Sequence, residues 1–180
     1  MNRRFLLNTG KYALIALIIF LIGYVAYDKM SNSESQNLLA ERNTSFAGHA
    51  GNTLKDSIVE YGMELLGTPY VTAGSGKEGF DCSGFVYYVY QNFDITVPRS
   101  SAAYENFGKE IPIAKVQKGD LLLFLSPTRN AIGHIGIITN ADGKESDFIH
   151  ATSGRKMQVT ITNLSNEGYT RRFVKAIRVL

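Results

Sequence analysis

One cysteine and two histidines are the side chains best suited to nucleophilic chemistry in this chain of 180 residues. Cys82 lies in Gly-Phe-Asp-Cys-Ser-Gly-Phe, where a glycine-rich stretch meets the start of an expected helix. The free N–H groups and positive dipole end of a helix start stabilise a thiolate and lower the thiol pKa. The same N–H groups can receive the oxyanion of a tetrahedral intermediate. Gly84 places no side chain beside the sulfur, which leaves room for a substrate backbone. A thiol nucleophile needs a base, and the base needs a group to orient it. His134, in Ile-Gly-His-Ile-Gly-Ile, and His150, in Asp-Phe-Ile-His-Ala-Thr, fall on successive expected strands. Glycines on either side of His134 leave space around its ring, and adjacent antiparallel strands bring such side chains together. The third histidine, His49, falls in a polar stretch and reads as a solvated linker residue. Cys82, His134 and His150 would also serve as three zinc ligands with an open fourth position. The lack of an HExxH pair weighs against that alternative.

These residues need elements to position them, and the pattern supplies helices first and strands after. Leu54, Ile58, Tyr61 and Leu65 recur at helical spacing, with Asn52 or Thr53 as N-cap and Gly67 as stop. Thr68 to Gly79 reads as a glycine-rich loop. Ser83 to Asn92 reads as a helix, because Phe85, Val86, Val89 and Tyr90 share one helical face and Asp81 is a suitable N-cap. Leu121–Leu125, Ile135–Thr139, Asp147–His150, Met157–Ile161 and Phe173–Val179 are short apolar or alternating runs separated by turns. They read as an antiparallel sheet packed on the earlier helices, an α+β arrangement.

Composition narrows the function classes. The net charge of +3 resides in residues 1–29, where Arg3, Arg4, Lys11 and Lys29 face only Asp28; from Met30 onward 15 basic residues balance 15 acidic ones. A neutral body lacks the basic face of a nucleic-acid binder. A single cysteine excludes an internal disulfide and any CxxC centre. Gly74–Gly79 resembles a phosphate loop only superficially, since Val71 and Glu78 stand where that motif needs glycine and Ser or Thr. No GxSxG elbow surrounds Ser83 or Ser153.

Tyr12 to Tyr27 carries no charge, and the basic residues precede it, so the N-terminus is expected to stay cytoplasmic and the remainder to be exported. As a helix rising about 1.5 Å per residue, this run covers about 24 Å of a hydrocarbon core roughly 30 Å thick. Lys11 and Lys29 can snorkel, and Tyr12, Tyr24 and Tyr27 suit the interface. The run is followed by no A-x-A cleavage site and no lipid-accepting cysteine. An uncleaved signal anchor in residues 1–29 is therefore preferred to a cleaved signal peptide. Residues 30–52, rich in Ser, Asn, Gly and Ala, read as a flexible linker, and residues 53–180 as the folded domain.

Leu66-Gly-Thr-Pro-Tyr70, Phe80-Asp-Cys-Ser-Gly-Phe85, Val97-Pro-Arg-Ser100, Lys118-Gly-Asp-Leu-Leu122, Gly133-His-Ile-Gly-Ile137 and Phe148-Ile-His-Ala151 occur in this order. Together they resemble the NlpC family of bacterial cell-wall cysteine peptidases. The resemblance implies a papain-like α+β fold. It also implies an endopeptidase acting on peptidoglycan stem peptides, commonly at the γ-D-glutamyl–diaminopimelate bond, without a cofactor. Carried over position by position, Cys82 is the nucleophile, His134 the base held in an ion pair with the thiolate, and His150 its orienting residue. Tyr70 is the tyrosine beside the active site, able to assist the oxyanion. The chain departs from the family pattern after that tyrosine, with Val71-Thr-Ala-Gly74 in place of an aromatic and paired glycines, and with no tryptophan. Arg99, with Ser100 and Ser101, is a candidate for holding a substrate carboxylate. A thiol amidase or acyltransferase of the same fold, and a catalytically silent wall-binding module, are the alternative readings.

Overall fold

A capping box sets the start of the first helix. The Thr53 hydroxyl accepts from the Asp56 N–H, and the Asp56 carboxylate accepts from the Thr53 N–H at 3.2 Å. The structure is a computed structural model describing residues 53–180 together with Phe20, Leu21, Gly23, Tyr24, Tyr27 and Lys29, which are helical and exposed. Among the described residues no helix is long and apolar enough to cross a membrane. The expected anchor over 1–29 lies, those six positions apart, outside the described residues, as does the linker expected over 30–52.

Helix α1 (Leu54–Glu64) ends near Gly67, whose φ of 82° lies in the left-handed region that stops a helix. Ile58 and Leu65 are buried as the periodicity predicts, whereas Leu54 is exposed. The expected loop that follows contains a small hairpin, β1 (Ser75–Gly76) with β2 (Gly79–Phe80). Helix α2 (Cys82–Gln91) starts at the nucleophile candidate, and the Asp81 side chain accepts from the Gly84 N–H at 2.6 Å. Phe85, Val86, Val89 and Tyr90 are all buried, as read from the sequence.

Beside short 3-10 turns at Ser101–Tyr104, Ile113–Lys115 and Gly143–Glu145, the remaining elements are β3 (Lys109–Ile111), β4 (Leu121–Leu125), β5 (Ile132–Asn140), β6 (Asp147–Thr152), β7 (Gln158–Asn163), a short α3 (Glu167–Thr170) and β8 (Phe173–Arg178). Strands β3 to β8 form one six-stranded sheet in the order β3-β8-β4-β5-β6-β7, every neighbouring pair antiparallel. The five strands read from the sequence are all present: β4 matches at both ends, β6 and β8 match at their starts, and the remaining ends shift by one to three residues. β3 and α3 were not expected, being too short and too polar for a periodicity to register.

The sheet is covered on both faces, which explains why Leu121–Phe124 is a continuous buried run instead of an alternating one. Leu121, Leu123, Ile135, Ile137 and Ile149 pack with Ile58, Phe85, Val86 and Val89 of the helices. Leu122, Phe124, Ile138 and Phe148 pack on the other side with Val116 and Leu164. At the β4–β8 seam, Arg178 grips the buried Asp120 through two bonds, Nε to Oδ1 at 2.8 Å and Nη2 to Oδ2 at 2.6 Å. The Gln117 N–H donates to the same carboxylate at 2.8 Å, so its charge is compensated in a dry site. Helix α2 is tied to the same corner by the Tyr90 hydroxyl, which donates to the Gly119 carbonyl.

Candidate active site

Cys82 sits at the first turn of α2, 8% exposed, and its sulfur rests against the strand that carries His134. The Gly133 carbonyl oxygen is 3.7 Å from Sγ, and the Ile135 N–H points at the same sulfur. These are the backbone groups on either side of His134. Pairing between β5 and β6 runs only from Ile137 to Asn140, so β5 meets the helix start ahead of that ladder.

His134 and His150 share one face of the sheet. Phe124 is the cross-strand partner of His134, and Phe148 precedes His150 by two residues on β6. Their rings meet edge to face, with His134 Nε2 at 2.9 Å from His150 Nδ1. That contact engages Nε2 of His134 and leaves its Nδ1 outside the pair. Gly136 makes the approach feasible. A Cβ there would come within 2.5 Å of the Phe148 ring and 3.2 Å of the His150 Cβ. The glycine thus clears space for the neighbouring strand, more than for the His134 ring itself. Phe124, Phe148 and Tyr169 enclose the two imidazoles.

The electrostatics differ from the sequence expectation. Helix-start N–H groups of Cys82 and Ser83, with that of Ile135, do pull the thiol pKa down, but burial and the nearby Asp81 charge outweigh them and raise it. Burial, helped by the Arg172 charge, pushes His134 down to about 3. Burial lowers His150 as well, reinforced by His134, Lys156 and Arg172. A raised thiol and a lowered imidazole both disfavour the charged forms, which runs against the expected ion pair. Iodoacetamide modification of Cys82 is accordingly expected to be slow at pH 7 and to accelerate about tenfold per pH unit towards pH 9, because the thiolate is the reactive form. A rate already on a plateau between pH 6 and 8 would restore the ion pair.

Tyr70 is half-buried. Its phenol pKa is raised by burial and by Cys82 and Asp81, and lowered by a hydrogen bond to the Ser153 side chain. It therefore stands as a neutral O–H donor on the same side of the domain as the thiol. Its backbone N–H is fixed to the Met157 carbonyl at 2.8 Å.

Arg99 does not stand free to take a substrate carboxylate. Its guanidinium holds both oxygens of Asp81 (2.9 and 2.8 Å), the Ser83 hydroxyl (3.2 Å), and the carbonyls of Ala73 (2.8 Å) and Gly74 (3.1 Å). It clamps the glycine-rich loop onto the start of α2. Sequence reasoning missed this clamp because nothing local in Val97-Pro-Arg-Ser100 points back to Asp81. Thr162, whose Oγ1 lies 2.9 Å from His150 Nε2, was missed too, since Thr in an alternating strand reads as β-propensity alone. Among the described residues, no three His, Cys, Asp or Glu side chains converge as metal ligands would. A separate cleft lined by Lys144, Glu145, Leu164, Ser165, Thr170 and Phe173 contains none of the candidate residues.

Comparison with known proteins gives a consistent picture. The sequence profile of the NlpC/P60 family matches residues 67–178. A γ-D-glutamyl-L-lysine dipeptidyl-peptidase of Bacillus cereus is 31% identical over 126 residues, covering 69% of this chain and 36% of that protein. A probable endopeptidase of Haemophilus influenzae is 32% identical over 117 residues, covering 64% of this chain and 69% of its own length. The crystal structure of a NlpC/P60 family protein from Bacillus cereus superposes with a TM-score of 0.63 at 30% identity, over 71% of this chain and 41% of that one. The chain thus spans well under half the length of either Bacillus cereus protein.

Proposed function

The chain belongs to the NlpC/P60 family, and from that premise we propose that it is a peptidoglycan hydrolase, a cysteine endopeptidase cleaving amide bonds of stem peptides. The observation that carries the proposal is the Cys82 sulfur lying against the backbone on both sides of His134, whose ring is in turn bonded to His150. A binding module has no need of a thiol at a helix start, set against the backbone that carries an oriented imidazole. The names of the relatives, dipeptidyl-peptidase and endopeptidase, agree with the hydrolytic reading.

In the proposed mechanism Cys82 is the nucleophile and His134 the general base, with His150 orienting it and Tyr70 assisting the oxyanion. Since burial favours the neutral thiol and the neutral imidazole, the thiol proton passes to His134 Nδ1 as sulfur bonds to the amide carbon. The carbonyl oxygen takes up the electron pair and is met by the Cys82 N–H and the Tyr70 hydroxyl. On collapse the C–N bond breaks, His134 returns its proton to the leaving amine, and a thioester remains. Water, deprotonated by His134, then attacks the thioester and releases the acid and the thiol.

The γ-D-glutamyl–diaminopimelate bond is the proposed cleavage point, and residues 1–29 are proposed to anchor the chain in the cytoplasmic membrane of a bacterial cell. The linker over 30–52 would then carry the domain of residues 53–180 outside that membrane to the wall. Incubating the full chain with purified muropeptides and identifying products by mass spectrometry tests the reading. Cleavage after D-glutamate, unaffected by chelator, is expected. Cleavage at the sugar–peptide junction would make it an amidase, peptide transfer to an amine an acyltransferase, loss with chelator a zinc enzyme, and binding without turnover a silent wall-binding module.

A further inference from the structure

His150 lies fully buried between two partners, and its second nitrogen is held by a hydroxyl. Nε2 is 2.9 Å from Thr162 Oγ1, while Nδ1 faces His134 Nε2 at the same distance. Thr162 pairs with Phe148 across β6 and β7, which puts it diagonal to His150 on the same face. Directly opposite His150 is Thr160, but that hydroxyl accepts from Lys156 Nζ at 3.0 Å and turns towards the Ile161 carbonyl. The register thus offers His150 two threonines, and only Thr162 serves it.

Each imidazole that is neutral has one N–H and one lone pair, so the three-member chain has two self-consistent settings. In one, His134 Nε2–H donates to His150 Nδ1, His150 Nε2–H donates to Thr162, and His134 Nδ1 is a free lone pair. In the other, the Thr162 hydroxyl donates to His150 Nε2, His150 Nδ1–H donates to His134, and His134 Nδ1 carries the proton. Only the first setting leaves His134 able to accept a proton from the thiol. Protonating His134 makes both of its nitrogens donors, which forces His150 to donate to Thr162. The charged groups acting on the pair, Arg172 and Lys156, are cations that oppose this protonation, so the hydrogen-bond chain has to favour it.

We propose that Thr162 is a positioning residue which, as acceptor at the end of the His134–His150 chain, sets the tautomer that makes His134 a base. This rests on the reading of His134 as the general base. Thr162→Val keeps the shape of the side chain and removes the hydroxyl, which orphans a buried N–H in the first setting but leaves only an unfilled lone pair in the second; Thr162→Ser keeps the hydroxyl. Long-range proton–nitrogen NMR on ¹⁵N-histidine-labelled full chain, at pH 7.5, reads the tautomer without reference to turnover. In the unsubstituted protein and in Thr162→Ser, His150 is expected to carry its proton on Nε2. In Thr162→Val the proton is expected on Nδ1, with kcat on muropeptides down about tenfold and KM unchanged. Thr160→Val is expected to leave the tautomer unchanged.

An unaltered tautomer in Thr162→Val overturns the proposal, and so does an altered tautomer with kcat intact in an active enzyme. Failure of serine to restore kcat also overturns it. If the unsubstituted chain proves inert on muropeptides while the tautomer still switches, the positioning role stands and the hydrolase reading falls.

Discussion

Cys82→Ala is expected to abolish muropeptide hydrolysis, with turnover lower by at least about 10⁴-fold, while the protein stays folded and still binds the substrate. The argument begins with what else the sulfur does. It is 8% exposed and contributes a small apolar volume to the packing at the start of α2, so its removal costs on the order of 1 kcal/mol. Burial disfavours the charged forms of both thiol and imidazole, so the fold leans on no charge pair between them. The chemical loss is total by comparison, because Cys82 is the one cysteine of the chain and no second thiol can replace it. Cys82→Ser is expected to be nearly as inactive. A hydroxyl gives up its proton far less readily than a thiol and is the poorer nucleophile towards an amide carbonyl at this site. Product analysis by mass spectrometry beside a circular-dichroism melt checks both parts. An alanine variant retaining more than a few per cent of turnover would remove the thiol mechanism.

The sequence made the participants legible but not their state. Cys82 at a helix start and two histidines on neighbouring strands follow from periodicity and capping. The structure adds the 2.9 Å contact that makes the histidines one unit. A helix start is a local feature that the sequence displays, whereas the burial that raises the thiol comes with tertiary packing, which sets the sulfur against Gly133, 51 positions on. Arg99 was misplaced for the same reason. Its type suits a carboxylate, and the carboxylate it holds is the chain's own Asp81, eighteen positions back. Local signals read elements and caps well. Partners chosen by tertiary packing, such as Thr162 for His150 or Arg178 for Asp120, leave no mark in either segment alone.

Gly84→Ala carries the second large effect, and the structure changes the reason for it. The sequence reading gave this glycine the task of admitting a substrate backbone beside the sulfur. Its Cα instead faces the loop: a Cβ there would lie 2.0 Å from the Gly74 carbonyl oxygen and 3.0 Å from the Arg99 Nη2. The first of these neighbours is backbone, so no rotamer change relieves it. The same carbonyl accepts from Arg99 and from the Asp81 N–H, so moving it breaks the clamp that fastens the loop to the helix start. Either the loop shifts outward or α2 shifts back, and Cys82, two residues away, moves against Gly133 and Ile135. Alanine at this site is therefore expected to cost about 3 kcal/mol or more of stability, read as a lowered urea midpoint. Turnover is expected to fall at least about a hundredfold, since a displacement near 1 Å at a reacting atom has that effect. Asp81→Asn is the comparison that separates the two losses. It weakens the Arg99 clamp without adding bulk, so it should lower stability while leaving Cys82 against β5. If Gly84→Ala melts like the unsubstituted protein and still turns over, the close approach of loop and helix is not needed, and the clamp is not what holds the nucleophile in place.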